Sequence, residues 1–298
     1  MHLSAERFRE NPIIGPGMAG LVGEHGRNIN GPSLVRVPEW VESRLGSYYL
    51  YFAHHSGAYI RMAYADCLAG PWSVYEPGVL HMDQGFGRRH IASPDLHVDE
   101  ARRQLRMYFH QPAPEDRAEL GQVSFVALSE DGINFSIEPE ILGKYYFRVF
   151  EYGGWYYALG KYDNVDGVLY RSRDGLTGFQ EGPRLLPRIR HSALWVEGDL
   201  LHVLYSRVGD APERILWTTA DLRGDWSRWC FSAPVCVLEP EMEWEGCCLP
   251  IEPSRSGAVA EPVRQLRDPG VYEEDGERFL LYSVAGEQGI AIARLIWQ

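Results

Sequence analysis

The 298-residue chain is short of positive charge: 29 Lys and Arg stand against 41 Asp and Glu, giving a formal net charge of −12, and no basic run occurs. A nucleic-acid surface, or one that grips anionic lipid, needs clustered Lys and Arg and is therefore excluded. Long apolar runs are also missing, so no segment approaches the length of a membrane span. The N-terminal residues place Glu6 and Arg7 where a secretory leader carries an apolar stretch. The location expected from this is cytoplasmic. Cysteines number five, at positions 67, 230, 236, 247 and 248. Their odd count and their spacing fit neither a disulfide framework nor a zinc site, so they read as small buried hydrophobes. Short His-x-His and His-Glu-x-x-His spacings are lacking too, and neither a metal nor a cofactor is expected.

Long helical periodicity is absent as well, and strand-like runs take its place. Aromatic residues make up 12% of the chain, with nine Trp and seventeen Tyr, within an apolar fraction of 45% that suffices for a large core. The runs repeat as a unit: a short apolar strand, an acidic or Gly turn, an aromatic strand, then a third strand. The first copy reads Pro32-Ser33-Leu34-Val35, Tyr48-Tyr49-Leu50-Tyr51-Phe52, then Tyr59-Ile60-Arg61-Met62. The second has Pro94-Asp95-Leu96, Leu105-Arg106-Met107-Tyr108-Phe109 and Val123-Ser124-Phe125. Hairpin turns punctuate the later copies, at Gly153-Gly154, Glu197-Gly198-Asp199 and Glu274-Asp275-Gly276. Polar turns carrying an aromatic, such as Gly70-Pro71-Trp72, follow several third strands and imply a fourth, outer strand. Five such units predict an all-β, five-bladed β-propeller: one domain over 1–298, antiparallel sheets around a central channel, blades near 28–80, 90–140, 144–186, 188–238 and 264–296. Radial closure hides the sheet edges. A two-sheet sandwich would not require such similar units.

In such a blade the innermost strand starts at one mouth of the channel, and its antiparallel neighbour ends there. Residues just before the first strand and just after the second should therefore converge. The first set gives Asn30-Gly31, Ser93 with Asp95, Tyr145-Tyr146 with Arg148, Arg190-His191, and Arg267-Asp268. The second gives His54-His55, His110, Lys161, Arg207 and Glu287. Nearly every blade thus sends a titratable side chain to the same place, which predicts a polar ligand site rather than a protein-docking face. His90 joins these as a candidate for gripping hydroxyl groups. Glu245 and Glu252 lie in a long connection leading to the same mouth, and both are candidates to reach into it.

The repeats, over about residues 28 to 296, resemble the five-bladed propeller glycosidases: glycoside hydrolase family 43 and the related families 32, 62 and 68. In family 43 the first blade opens with an Asp-Pro whose Asp is the general base. The second carries a Pro-Asp whose Asp tunes the acid, and the third a Glu-Gly-Pro whose Glu is the acid. Pro94-Asp95 matches the second of these motifs, whereas Gly31 stands at the base position and Tyr145 at the acid position. An Asp-Pro reappears in the fifth blade as Asp268-Pro269. The resemblance therefore implies a rearranged glycosidase, with Asp268 as base or nucleophile, Glu252 as acid and Asp95 positioning. Its partner would be a small glycoside or oligosaccharide, furanosides included, gripped by Arg267 and the histidines. The other reading is a carbohydrate-binding propeller without chemistry. The oligomeric state stays open.

Overall fold

The computed structural model describes residues 2–86, 89–163 and 165–298. Apart from short 3₁₀ turns, its regular structure is β-strand, and among the described residues no helix is long and apolar enough to cross a membrane. Strand β1 (Leu3–Arg7) precedes the first blade, which comprises β2 (Asn30–Arg36), β3 (Tyr48–Ala53), β4 (Tyr59–Ala65) and β5 (Ser73–His81). The second contains β6 (Ala92–Asp99), β7 (Gln104–Pro112) and β8 (Gln122–Ser129), with a split outer strand formed by β9 (Ser136–Ile137) and β10 (Gly143–Lys144). Strands β11 (Arg148–Tyr152), β12 (Trp155–Tyr162), β13 (Asp166–Ser172) and β14 (Gln180–Leu185) make the third. The fourth has β15 (Ile189–Glu197), β16 (Leu200–Arg207), β17 (Ile215–Asp221) and β18 (Val235–Leu238). In the fifth, β19 (Arg267–Glu274), β20 (Glu277–Ser283) and β21 (Ile290–Trp297) are completed by β1, which pairs antiparallel with β21 from Leu3↔Trp297 to Arg7↔Ala293. The five-bladed propeller expected from the repeats is the observed fold.

Middle strands read as unbroken apolar runs because both faces of each blade are buried. Alternation along β3 sends Tyr49 and Tyr51 toward the second blade, where they meet Met107 and Phe109. The intervening Leu50 and Phe52 point the other way, against Leu281 and Ile292 of the fifth. The same two-sided division builds every wedge, so five separate cores lie between consecutive blades. Only one of the five cysteines joins them: Cys236, half-buried, packs against the core between the third and fourth blades, whereas Cys67, Cys230 and Cys248 are exposed and Cys247 is half-buried. Larger aromatic and branched side chains fill the wedges, and the other four cysteines fall in connections outside them.

The innermost strands share a local device. In four blades the register of the first strand slips by a bulge where it enters the channel, between Asn30 and Ser33, Ala92 and Asp95, Ile189 and Ser192, and Arg267 and Gly270. In three of them the slipped residue is left-handed and followed by proline: Gly31-Pro32, Ser93-Pro94 and Asp268-Pro269, at φ of 62°, 57° and 48°. Glycine takes that conformation freely, whereas Ser93 and Asp268 hold it at a cost in strain. Gly270 is required for another reason, since a Cβ there would meet the Pro32 carbonyl at 2.4 Å.

Beside the β1–β21 ladder, a buried ion pair ties β1 to the connection that enters the fifth blade. Arg7 Nε and Nη2 donate to the two oxygens of Glu245 at 2.8 and 2.9 Å, and the Tyr282 hydroxyl donates to the same carboxylate at 2.9 Å. Glu245 is fully buried. Removing its cation leaves an uncompensated charge, so Arg7→Met should cost about 3–5 kcal/mol. Urea unfolding of the variant measures this; a loss below about 1 kcal/mol would mean that the pair does not hold the fifth blade shut.

Candidate functional site

The starts of the innermost strands and the ends of their neighbours meet at one mouth, where they form a buried charge cluster. Its centre is Arg267, which has no exposed surface. Its Nη1 donates to Glu287 Oε1 at 3.1 Å, its Nε lies 3.6 Å from Glu213 Oε2, and Gln265 accepts a further bond from Nε at 3.0 Å. Arg190 Nε donates to the other oxygen of Glu213 at 2.7 Å. Glu287 also accepts from the Asn28 side-chain amide, while Asn28 Oδ1 takes bonds from Asn30 Nδ2 at 2.7 Å and from the His55 backbone N–H at 2.6 Å. Burial alone would raise the pKa of Glu287, but His55, Arg267 and Asn28 outweigh it and hold the carboxyl below its usual range.

Asp268 occupies the left-handed position at the mouth, almost fully buried. Its Oδ2 accepts from the Ser283 hydroxyl at 3.2 Å, and its Oδ1 lies against His191 Nδ1. From there a row of rings crosses the mouth: His191 to Tyr146 at 4.0 Å between centroids, Tyr146 to His110 at 4.5 Å, and His110 to His90 at 5.5 Å. Burial, then the nearby cations Arg148, Lys161 and Arg190, push His191 well below an ordinary histidine. His110 is lowered in the same way by burial and by its histidine neighbours, so both rings are neutral at pH 7. Lys161 ends β12 close to this row, its ammonium 5.6 Å from the Tyr146 ring. Burial first, then Arg190 and Arg267, bring it down to about 7.

Asp268, Arg267, Glu287, Lys161, His191, His110, His55 and Asn30 are thus brought together as the strand geometry predicts, and His90 stands beside His110 at the end of the row. His54 is half-exposed at the rim, and its Nδ1 accepts from the Ser56 N–H at 3.0 Å. Arg207 pairs with Asp210 at 2.9 Å on the rim of the fourth blade. Asp95 and Arg148 lie deeper. In the register of the repeats, Ser93 is the counterpart of Asp268 and Gly31, and Asp95 sits two residues further into the channel. Asp95 Oδ2 accepts from the Val149 N–H of the next blade at 2.9 Å and pairs with His97 at 2.9 Å. Arg148 donates to the Ser192 and Ser93 carbonyls at 3.0 and 3.2 Å, stapling three blades together. Below them the channel widens into a cavity of about 620 Å³ that opens at the far end.

Glu245 lies outside the cluster, because both its oxygens are committed to Arg7, Tyr282 and the backbone N–H groups of Glu241 and Met242. Glu252 is exposed in the connection 239–266. The later part of that connection forms a strap over the mouth: Arg190 Nη2 donates to the Arg255 carbonyl at 2.5 Å, and Arg190 and Arg267 both reach the Gly257 carbonyl at 3.4 Å. The strap covers the fourth- and fifth-blade side. On the opposite side a cavity of about 750 Å³ adjoins His90 and Tyr145 and is lined also by Lys144, Gln122 and Glu115. Among the described residues no three His, Cys, Asp or Glu side chains converge as metal ligands.

Strand-end reasoning overlooked Glu213 and Asn28. Glu213 lies just before β17, the third strand of its blade, and third strands also begin at this mouth. The available signal was the Asp210-Ala211-Pro212-Glu213 turn, an acidic residue held behind proline at that edge. Asn28 sits two residues ahead of its strand and had no such marker.

The arrangement is that of a five-bladed β-propeller with its polar residues gathered at one end of the channel, a fold that solved glycoside hydrolases share. A structure from the GH130 family of mannoside phosphorylases, which contains glycoside hydrolases targeting β-1,2-mannosidic linkages in Candida mannan, superposes with a TM-score of 0.67 at 13% identity, covering 98% of this chain and 93% of that one. The α-L-arabinofuranosidase from Lactobacillus brevis gives 0.64 at 13% identity over 97% and 93% of the two chains. A family-43 enzyme from Xanthomonas citri, complexed with xylose, gives 0.61 at 14% identity over 95% and 90%. At these identities the likeness establishes the fold alone. No protein-family model matches the chain. In sequence it is 37% identical over 324 residues to Uncharacterized protein R118 of Acanthamoeba polyphaga mimivirus, spanning 97% of this chain and 89% of the viral protein, and it belongs to that protein's family.

Neutral burial of histidine sets a pH dependence. His110 and His191 lie well below the ordinary value of 6.5, and His202, stacked between Trp195 and Trp217, lies at about 4. Below pH 6.5 the unfolded chain binds protons that the folded one refuses. Stability contributed by these groups is therefore present above pH 6.5 and lost as the pH falls. The urea midpoint should drop between pH 7 and pH 5; an unchanged midpoint would show that these rings protonate freely in the native state.

Proposed function

We propose that the protein is a glycoside hydrolase acting on a small glycoside or oligosaccharide at the strapped mouth, with Asp268 as the carboxylate that activates water or attacks the sugar carbon. The observation that carries this reading is the position of Asp268. It occupies, in the fifth blade, the left-handed residue-before-proline site that Gly31 occupies in the first. That first-blade site is where the resemblance to family 43 puts the general base. Strain held at a buried acid beside a channel mouth supports a functional role for it. Asn30, His55, His90 and His110 serve as the groups that orient hydroxyls, and the cavity beside His90 and Tyr145 receives the remainder of the substrate. Asp95 is a positioning residue that ties the second blade to the third. Glu252, exposed on the strap, has no part in this reading, and Glu213 and Glu287 hold Arg267 in place.

A specific observation favours a second reading, a carbohydrate-binding propeller without turnover. Gly31 and Tyr145 stand where the base and acid of family 43 would be, and the glutamates of the cluster are engaged by arginines. Sugar release from aryl furanosides, aryl pyranosides and short oligosaccharides separates the two. Turnover by the wild type that falls by about 10²–10⁴-fold in Asp268→Asn is expected for the enzyme. Sugar binding without release, altered in Asp268→Asn only in affinity, would establish the binding protein instead.

A further inference from the structure

Hydrolysis of a glycoside with a poor leaving group needs a proton donor as well as a base, and no carboxylic acid stands where family 43 keeps one. We propose, resting on the glycosidase reading above, that Lys161 is the general acid: its ammonium protonates the departing oxygen while Asp268 takes the proton of the attacking water. Lys161 comes from the blade that carries the acid in family 43. It lies directly across the sheet from Tyr145, whose carbonyl accepts the Lys161 N–H at 2.8 Å, and Tyr145 is the residue at the missing acid's position. The side chain is 3% exposed, and among the described residues its ammonium has neither an ion-pair partner nor a hydrogen bond. What faces it is the ring of Tyr146 and, from the neighbouring elements, Arg190, His191, Glu213 and Arg267.

The surrounding groups narrow the choice of donor. His191 and His110 are held neutral by burial and adjacent charge, so neither is a cationic acid at pH 7. Glu287 is kept ionised. Arg190 and Arg267 do not release protons near neutrality. Lys161, at about 7, is poised to give up a proton in that range, which is the condition for efficient acid catalysis. In the reaction the bond between the sugar carbon and the leaving oxygen breaks, its electron pair goes to that oxygen, and the oxygen takes a proton from the Lys161 ammonium. Water forms the new bond to carbon and loses a proton to Asp268. The products are the free sugar and the alcohol. Proton exchange with solvent then restores ammonium and carboxylate.

The test compares leaving groups. A 2,4-dinitrophenyl glycoside departs without protonation, whereas an alkyl glycoside or an oligosaccharide needs it. In Lys161→Met, kcat/KM should fall by about 10²–10⁴-fold on the poor leaving groups and by less than about tenfold on the dinitrophenyl glycoside. Retained turnover of the activated substrate also shows that the variant is folded. For the wild type, kcat/KM on the alkyl glycoside should decline above about pH 7 as the ammonium loses its proton, and this limb should be missing with the dinitrophenyl glycoside. Lys161→Arg keeps the charge but not the transferable proton, and should fail like Lys161→Met on alkyl glycosides. Equal losses on both substrate classes, or rescue by Lys161→Arg, would overturn the acid role while leaving the glycosidase reading intact. A wild type inactive on both classes would overturn both.

Discussion

A sheet with two buried faces must find a partner for each, and this single demand organises the molecule. Every blade sends alternate side chains of one strand into different wedges, as β3 does with Tyr49 and Tyr51 on one side and Leu50 and Phe52 on the other. No blade can satisfy its second face until the ring has closed. Closure is a problem of edges as well as faces, because the fifth blade has only three strands of its own. Strand β1 supplies the fourth, and the Arg7–Glu245 pair fastens it.

The mouth of the channel is where the innermost strands begin and their neighbours end. What collects there is charge held out of water, with Arg267 between Glu213 and Glu287 and with Arg190 shared between Glu213 and the strap. Interactions of this kind are strong at low dielectric and costly when a member is missing, so the cluster behaves as a fixed frame. The groups left comparatively free of it are the row from His191 to His90 and the amine of Lys161. The division between frame and free groups is the chemical organisation of the site.

Much of this was legible in the chain itself. The repeats gave away the blades because a strand buried on both faces is a dense apolar run, and its turns are marked by Gly and Asp. Mouth residues could be found from strand direction alone, which is why Asp268, Lys161, His191 and Glu287 were within reach. Depth was harder to read. Pro94-Asp95 looks like a mouth motif, yet the bulge places Ser93 at the mouth and carries Asp95 down to the junction of two blades. Glu245 resembles a loop charge because its partner, Arg7, is 238 residues away. Strand β1, a five-residue segment with two charges, has no signature of its own and becomes a strand only through the open edge it covers.

Beside the Ser254 hydroxyl, which accepts from the Gly209 N–H at 3.0 Å, the strap is fastened to the arginines beneath through carbonyl oxygens, those of Arg255 and Gly257. Every amino acid offers that carbonyl. The left-handed turn at Gly257, with φ of 92°, and the buried hydroxyl of Ser254 restrict what can stand at those two positions. Most positions along the strap can therefore change without disturbing the arginines beneath. The cover of the mouth is free to drift in shape and polarity over evolutionary time, while the machinery it covers stays as it is.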